Sequence, residues 1–106
     1  MIAALCVNMI IRWNKNIAIK RQEERLSAIG ELLELLQESI DSPFAVSTIP
    51  ELVEVALKVR ETIENGSRRE VEEQIRLITS PTCAFQDVAV DNGWGVKYLE
   101  LAARLS

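Results

Sequence analysis

Between Asn16 and Ile40 one pattern dictates the local fold. Ile19, Gln22, Leu26, Ile29, Leu33, Leu36 and Ile40 follow one another at spacings of 3, 4, 3, 4, 3 and 4. That beat returns to one side of a helix, whereas strand side chains alternate at every residue. The pattern predicts a helix over about 16–41 with a heptad seam and one polar interruption, Gln22. Leu32 and Leu35 widen the stripe, which suits a helix packed by more than one neighbour. Gly30 lies inside it at a cost of about 1 kcal/mol relative to Ala, so it marks either a close crossing or a tolerated weak point. Asp41, Ser42 and Pro43 should end the helix, because proline disfavours helical geometry in the residue before it.

Two further helices announce themselves by their starts. Thr48 and Glu51 have capping-box spacing, with Pro50 in the first turn, and Ile49, Leu52, Ala56, Val59 and Ile63 repeat the 3, 4, 3, 4 rhythm, giving a helix over about 48–64. Val53, Val55 and Leu57 make it apolar on several sides. Asn65 and Gly66 should stop it. Ser67 and Glu70 form a second capping box and open a helix over 67–79, with Val71, Ile75 and Ile78 inward. Arg68 and Arg69 sit in its first turn against the helix dipole and are expected to pair with Glu72 and Glu73. Together with Lys58 and Arg60 they form the alternative acidic-partner surface. Ser80 and Pro81 break the chain again. A last helix over about 94–105 should face inward through Trp94, Tyr98, Leu101 and Leu105. Phe85 to Asp91 reads as a short helix or as a strand leading to an Asn92–Gly93 hairpin turn.

The expected fold class is therefore all-α, a small bundle of four to five helices in a single domain over residues 1–106. The chain has the apolar and charged content of a globular domain, with 48% hydrophobic and 26% charged residues, so it is not a disordered tail. Aromatic residues are only 5%, so the core must be mainly aliphatic.

Residues 1–14 form a separate problem. Met1 to Ile11 is apolar apart from Asn8 and is followed by Arg12, Trp13 and Lys15. A secretory leader would carry its positive charge before the apolar run. The run is also shorter than the roughly 20 residues needed to span a bilayer. It reads as a buried or interface helix, a strand, or the membrane-dipping start of a basic amphipathic helix. The expected location is intracellular, in the cytoplasm.

Charge is distributed unevenly. Residues 1–25 hold Arg12, Lys15, Lys20, Arg21 and Arg25 against Glu23 and Glu24, a net +3, while the remainder is −7 and the whole chain −4. This asymmetry points to a basic contact surface for nucleic acid or an acidic partner, or to docking between two chains, or simply to a solubilised helix flank. Residues 86–104 have the rhythm of a helix-turn-helix. Val88 and Ala89 would face inward, Gly93 would turn, Val96 and Leu99 would anchor the second helix, and Lys97, Tyr98 and Arg104 would reach DNA. The segment's net charge of −1 opposes that reading.

No catalytic pattern emerges. The chain has no histidine, which removes the commonest general base and metal ligand. It has neither a Gly-rich phosphate loop nor zinc-ligand spacing. Cys6 and Cys83 read as buried free thiols, and Asn65-Gly66-Ser67 as a helix stop followed by a cap. The sequence therefore predicts no enzyme activity, no cofactor and no metal. It predicts a helical interaction or regulatory protein that self-associates as a homodimer and binds another protein, with nucleic acid or a membrane surface as the alternative partners. The expected self-association seam is Ile19, Leu26, Ile29, Leu33, Leu36 and Ile40.

Overall fold

A computed structural model describes residues 2–43, 45–80 and 84–106, with the backbone alone for residues 2–18. Five helices follow in order: α1 Ile2–Glu38, α2 Ile49–Asn65, α3 Arg68–Thr79, α4 Ala84–Asp91 and α5 Gly95–Leu105, with no strand among the described residues. The all-α reading holds. The open choices over residues 2–14 and 85–91 resolve as helix, and Met1 lies outside the described residues. The first segment and the heptad helix are one continuous α1, since no glycine or proline interrupts Ile2 to Ile29.

Helix α1 is the axis of the bundle. Its end lies by the start of α2, where the Ile49 N–H donates to Asp41 Oδ1 at 2.6 Å, and its residue Gln22 reaches the far end of α2 at Ile63 O. Hence α2 runs antiparallel to α1. The same argument applies to α5. The Trp94 Nε1–H at its start donates to Ser39 Oγ, and Leu105 O at its end accepts from Arg25. Helix α3 turns back along α2, and its last turn is tied to α5 by the Tyr98 hydroxyl donating to Ile78 O. Helix α4 lies against α5. Asn92 fastens this corner to the end of α1, accepting from the Ile40 N–H at 3.0 Å and donating to Ile40 O at 2.9 Å.

The core forms where these apolar faces meet. Ile29, Leu32, Leu36, Val59, Ile78, Val88, Leu101 and Leu105 are fully enclosed, with Phe85, Trp94 and Tyr98 the buried aromatic rings. Burying aliphatic side chains of this size is worth roughly 1.5–3 kcal/mol each, which is what holds the five helices together.

Several local expectations need correction. Helix α1 stops at Glu38, before the Asp41-Ser42-Pro43 breaker, because Ser39 folds its hydroxyl onto Leu35 O and its N–H onto Leu36 O. The Thr48 side chain does not cap α2; its hydroxyl donates to Glu51 instead, and the carboxylate of Asp41 takes the first N–H of the helix. The Ser67 cap of α3 forms as expected, accepting from the Glu70 N–H. Gly93 supplies the one left-handed turn among the described residues, with φ of 83°.

Gly30 is not a close crossing. A Cβ added there meets nothing within 4 Å. Gly30→Ala should therefore raise stability by about 0.4–1 kcal/mol, read as a higher urea midpoint with an unchanged slope. A lower midpoint would show that another helix packs against this position.

Candidate functional site

The bundle has one end at which three polar side chains of α1 meet the carboxyl ends of two other helices. Gln22 Nε2 donates to Ile63 O at 3.0 Å, Arg21 Nη2 donates to Ser106 O at 3.1 Å, and Arg25 Nε donates to Leu105 O at 3.0 Å. The last carbonyls of a helix lack partners within the helix and carry its negative dipole end. Amide and guanidinium donors answer both needs. Arg25 also reaches Glu72 Oε1 at 2.9 Å, and that hydrogen bond is the main reason the Glu72 carboxyl is held below its ordinary value.

These contacts reassign two groups of sequence-predicted residues. Arg25 is buried and engaged with Leu105 O and Glu72. Lys20 and Arg21 are exposed, and the side chains of Arg12 and Lys15 lie outside the described residues. Within the expected self-association seam, Ile29, Leu33 and Leu36 are buried in the chain's own core and Leu26 packs against it. They cannot also serve as a surface for a second copy while the bundle stays closed. Ile19 and Ile40, at 54% and 77% exposure, are at the surface but sit at opposite ends of the seam. Ile40 moreover falls beyond the end of α1.

Val88 and Ala89 are buried and Gly93 makes the turn, but Val96 and Leu99 are 84% and 59% exposed. Helix α5 is rotated so that Tyr98 faces inward, as its Trp94–Tyr98–Leu101–Leu105 face requires. Lys97 and Arg104 are then spent on Glu31 of α1. Arg104 donates to Glu31 and to Ser27 Oγ, and Lys97 lies 3.5 Å from Glu31 and 3.1 Å from Glu100. The Arg104 hydrogen bond, more than any other contact, holds the Glu31 carboxyl below its ordinary range. The hydrogen bond to Glu100 is first in pushing the Lys97 ammonium upward. Lys97 and Arg104 are thus both directed at α1 in this arrangement.

On α3, Arg68, Arg69, Glu72, Glu73 and Arg76 line a shallow, open depression. The expected Arg69–Glu73 pair forms at 3.3 Å, whereas Glu72 turns to Arg25. Lys58 and Arg60 are exposed on α2. Among the described residues no group of three or more His, Cys, Asp or Glu side chains is placed to hold a metal ion. Cys83 and the side chain of Cys6 lie outside the described residues.

The feature that sequence reading did not anticipate is the length of α1. Its 37 residues make a rod of about 55 Å at 1.5 Å per residue. Because Arg21 and Gln22 already contact the final residues of α5 and α2, residues 2–20 continue beyond the bundle for about 28 Å. The molecule is accordingly 64 × 23 × 21 Å, with a radius of gyration of 16.9 Å. A compact chain of this length would have about 13 Å. Among the described residues no helix is long and apolar enough to cross a membrane. Comparison of the chain with protein-family models, with curated proteins and with solved structures finds no match.

Two outcomes follow from the capping cluster. Arg25→Ala leaves Leu105 O and Glu72 without their partner and should cost about 1–3 kcal/mol in urea unfolding. The second concerns acid. Glu72 and Glu31 titrate lower in the folded chain than their ordinary value near 4.5. Their contribution is therefore complete above that value and is lost as pH falls through the folded pKa. Stability should decline below about pH 4.5, and Glu72→Gln should flatten part of that decline in a pH series of urea midpoints.

Proposed function

We propose that the chain is a non-enzymatic helical interaction protein whose contact element is the first half of α1. The carrying observation is that this helix runs about five turns past the ends of α2 and α5, while its residues 2–11 are apolar but for Asn8. A soluble helix that is apolar around its whole circumference needs cover on every side. Among the described residues, the core draws on α1 only from Leu26 onward. The contact function moves accordingly from the heptad seam, which the bundle uses internally, to the projecting arm. In water alone, arms of separate copies are expected to associate, which retains the self-associating reading with a different surface.

The reading is tested by placing charge on the arm. The double variant Leu5→Asp, Ile10→Asp should unfold in urea within about 0.5 kcal/mol of the parent, since surface changes away from the core have small effects. The same variant should stay monomeric in light scattering at micromolar concentration, where the parent associates. A loss of several kcal/mol would mean that the arm packs into the chain's own core, and the proposal would fall.

A further inference from the structure

We infer that the projecting arm of one copy lies antiparallel along the outer face of α5 in a second copy, each arm of the pair covering the other copy's face. This rests on the reading of the arm as the contact element and adds which surface receives it.

The receiving surface is an apolar face on the bundle. Val90, Val96 and Leu99 are three of the eight large apolar side chains exposed among the described residues. Single exposed apolar residues are ordinary, whereas a contiguous group marks a contact. These three are contiguous. Val96, Leu99 and the exposed Ala103 follow at spacings of 3 and 4, which puts them on one side of α5. Val90 joins them at the start of that helix, where a Cβ on Gly95 would stand 3.2 Å from its Cγ2. The cations of α5, Lys97 and Arg104, turn away from this face to Glu31.

Charge selects the occupant. Residues 1–20 hold Arg12, Lys15 and Lys20 and no acid, a net +3, so residues 21–106 hold the other −7 of the chain's −4. Two arms side by side repel each other, whereas an arm beside a bundle is attracted to it. A second copy offers both an arm and a bundle. The contact therefore forms twice about a two-fold axis, each copy giving what it receives.

The point where the arm leaves the bundle sets the register. That point is residue 20, because Arg21 and Gln22 already meet the ends of α5 and α2. In an antiparallel pair the two bundles meet end to end at this level. Residues 2–11 of one copy then lie level with about residues 29–38 of the other. Glu31 meets both Lys97 and Arg104, and Ser39 meets Trp94, so Val96 and Leu99 belong to the same stretch. The apolar part of the arm is thus brought to the apolar face. Lys15 and Lys20 come level with about residues 20–25, where Glu23 and Glu24 are exposed. Residues 2–20 cover about 28 Å and residues 21–38 about 27 Å, so these residues of the arm are enough to run along the whole bundle.

Scattering separates this pair from one joined arm to arm. With each arm on the other's bundle the two molecules overlap almost fully, and the dimer's longest dimension should be about 70 Å, against 64 Å for one copy. Arms that overlap only each other leave the bundles at opposite ends and give about 100 Å. Small-angle X-ray scattering of the full chain, at a concentration where light scattering gives twice 11.9 kDa, should return the shorter value. Val96→Asp with Leu99→Asp should raise the dissociation constant of the dimer at least about a hundredfold. Its urea midpoint should stay at the parent's, because both side chains are already exposed. If Leu99→Asp moves that midpoint, Val96→Asp alone, the more exposed of the two, carries the test. A dimer near 100 Å, or one that the α5 substitutions leave intact, would overturn this inference and leave the arm as the contact element. A monomeric parent would overturn it together with self-association. If Leu5→Asp, Ile10→Asp leaves the dimer intact, the arm is no contact and both readings fall.

Discussion

The capping of two helix ends by one short stretch of α1 is the constraint on which the rest of the molecule depends. Arg21, Gln22 and Arg25 donate to Ser106, Ile63 and Leu105, so a single turn and a half of α1 closes α2 and α5 at once. Without these donors, terminal carbonyls and negative dipole ends would meet at one end of the bundle. With them, the heights of α2 and α5 along α1 are set. The contact of Arg25 with Glu72 then fixes α3 at the same level. At the opposite end Asn92 and Asp41 play the matching part, holding α5's approach and α2's start to the end of α1. The apolar core lies between these two polar clasps.

Charge placed on the bundle's surface serves the same closure. Glu31 is shared by Lys97 and Arg104, which join α5 to α1 midway between the two clasps. Exposed pairs of this kind are individually weak. The buried face of α5 sets its rotation, and these pairs form where that rotation brings its basic side toward α1. Val96 and Leu99, which a helix-turn-helix would bury, are left at the surface. The inward face that apolar periodicity indicates for α5, Trp94 to Leu105, is the one the structure buries.

What the sequence reveals and what it hides divide along physical lines. Periodic burial is legible because it repeats: the seam from Leu26 to Leu36, the faces of α2, α3 and α5, and the Ser67 cap all follow from local spacing. Val88, Ala89 and Val90 in a row carry no period, so helix and strand were equally open for α4 until packing against α5 decided it. Capping between elements distant in sequence has no local signature. Gln22 looks like a flaw in a heptad seam because its partner is 41 residues away. Arg25 looks like a surface charge because its partners are 47 and 80 residues away. Thr48 looks like a cap because the competing carboxylate of Asp41 lies in the preceding loop.

The same cluster explains why an apolar arm can coexist with a closed bundle. Once α2 and α5 terminate at residues 21–25 of α1, no described helix continues alongside the residues before them. The charges then separate by role. Arg21 and Arg25 face helix ends, while Lys20 is exposed at the boundary and Arg12 and Lys15 come a turn or more earlier in the rod. A basic stretch that looks uniform in sequence is thus two devices in series. Its second half locks the bundle by satisfying carbonyls, and its first half is left to meet whatever the arm meets. Because the locking donors lie at residues 21–25, changes confined to residues 2–20 leave their hydrogen bonds in place, whatever they do to the proposed contact. That separation of stability from contact is what an interaction arm requires.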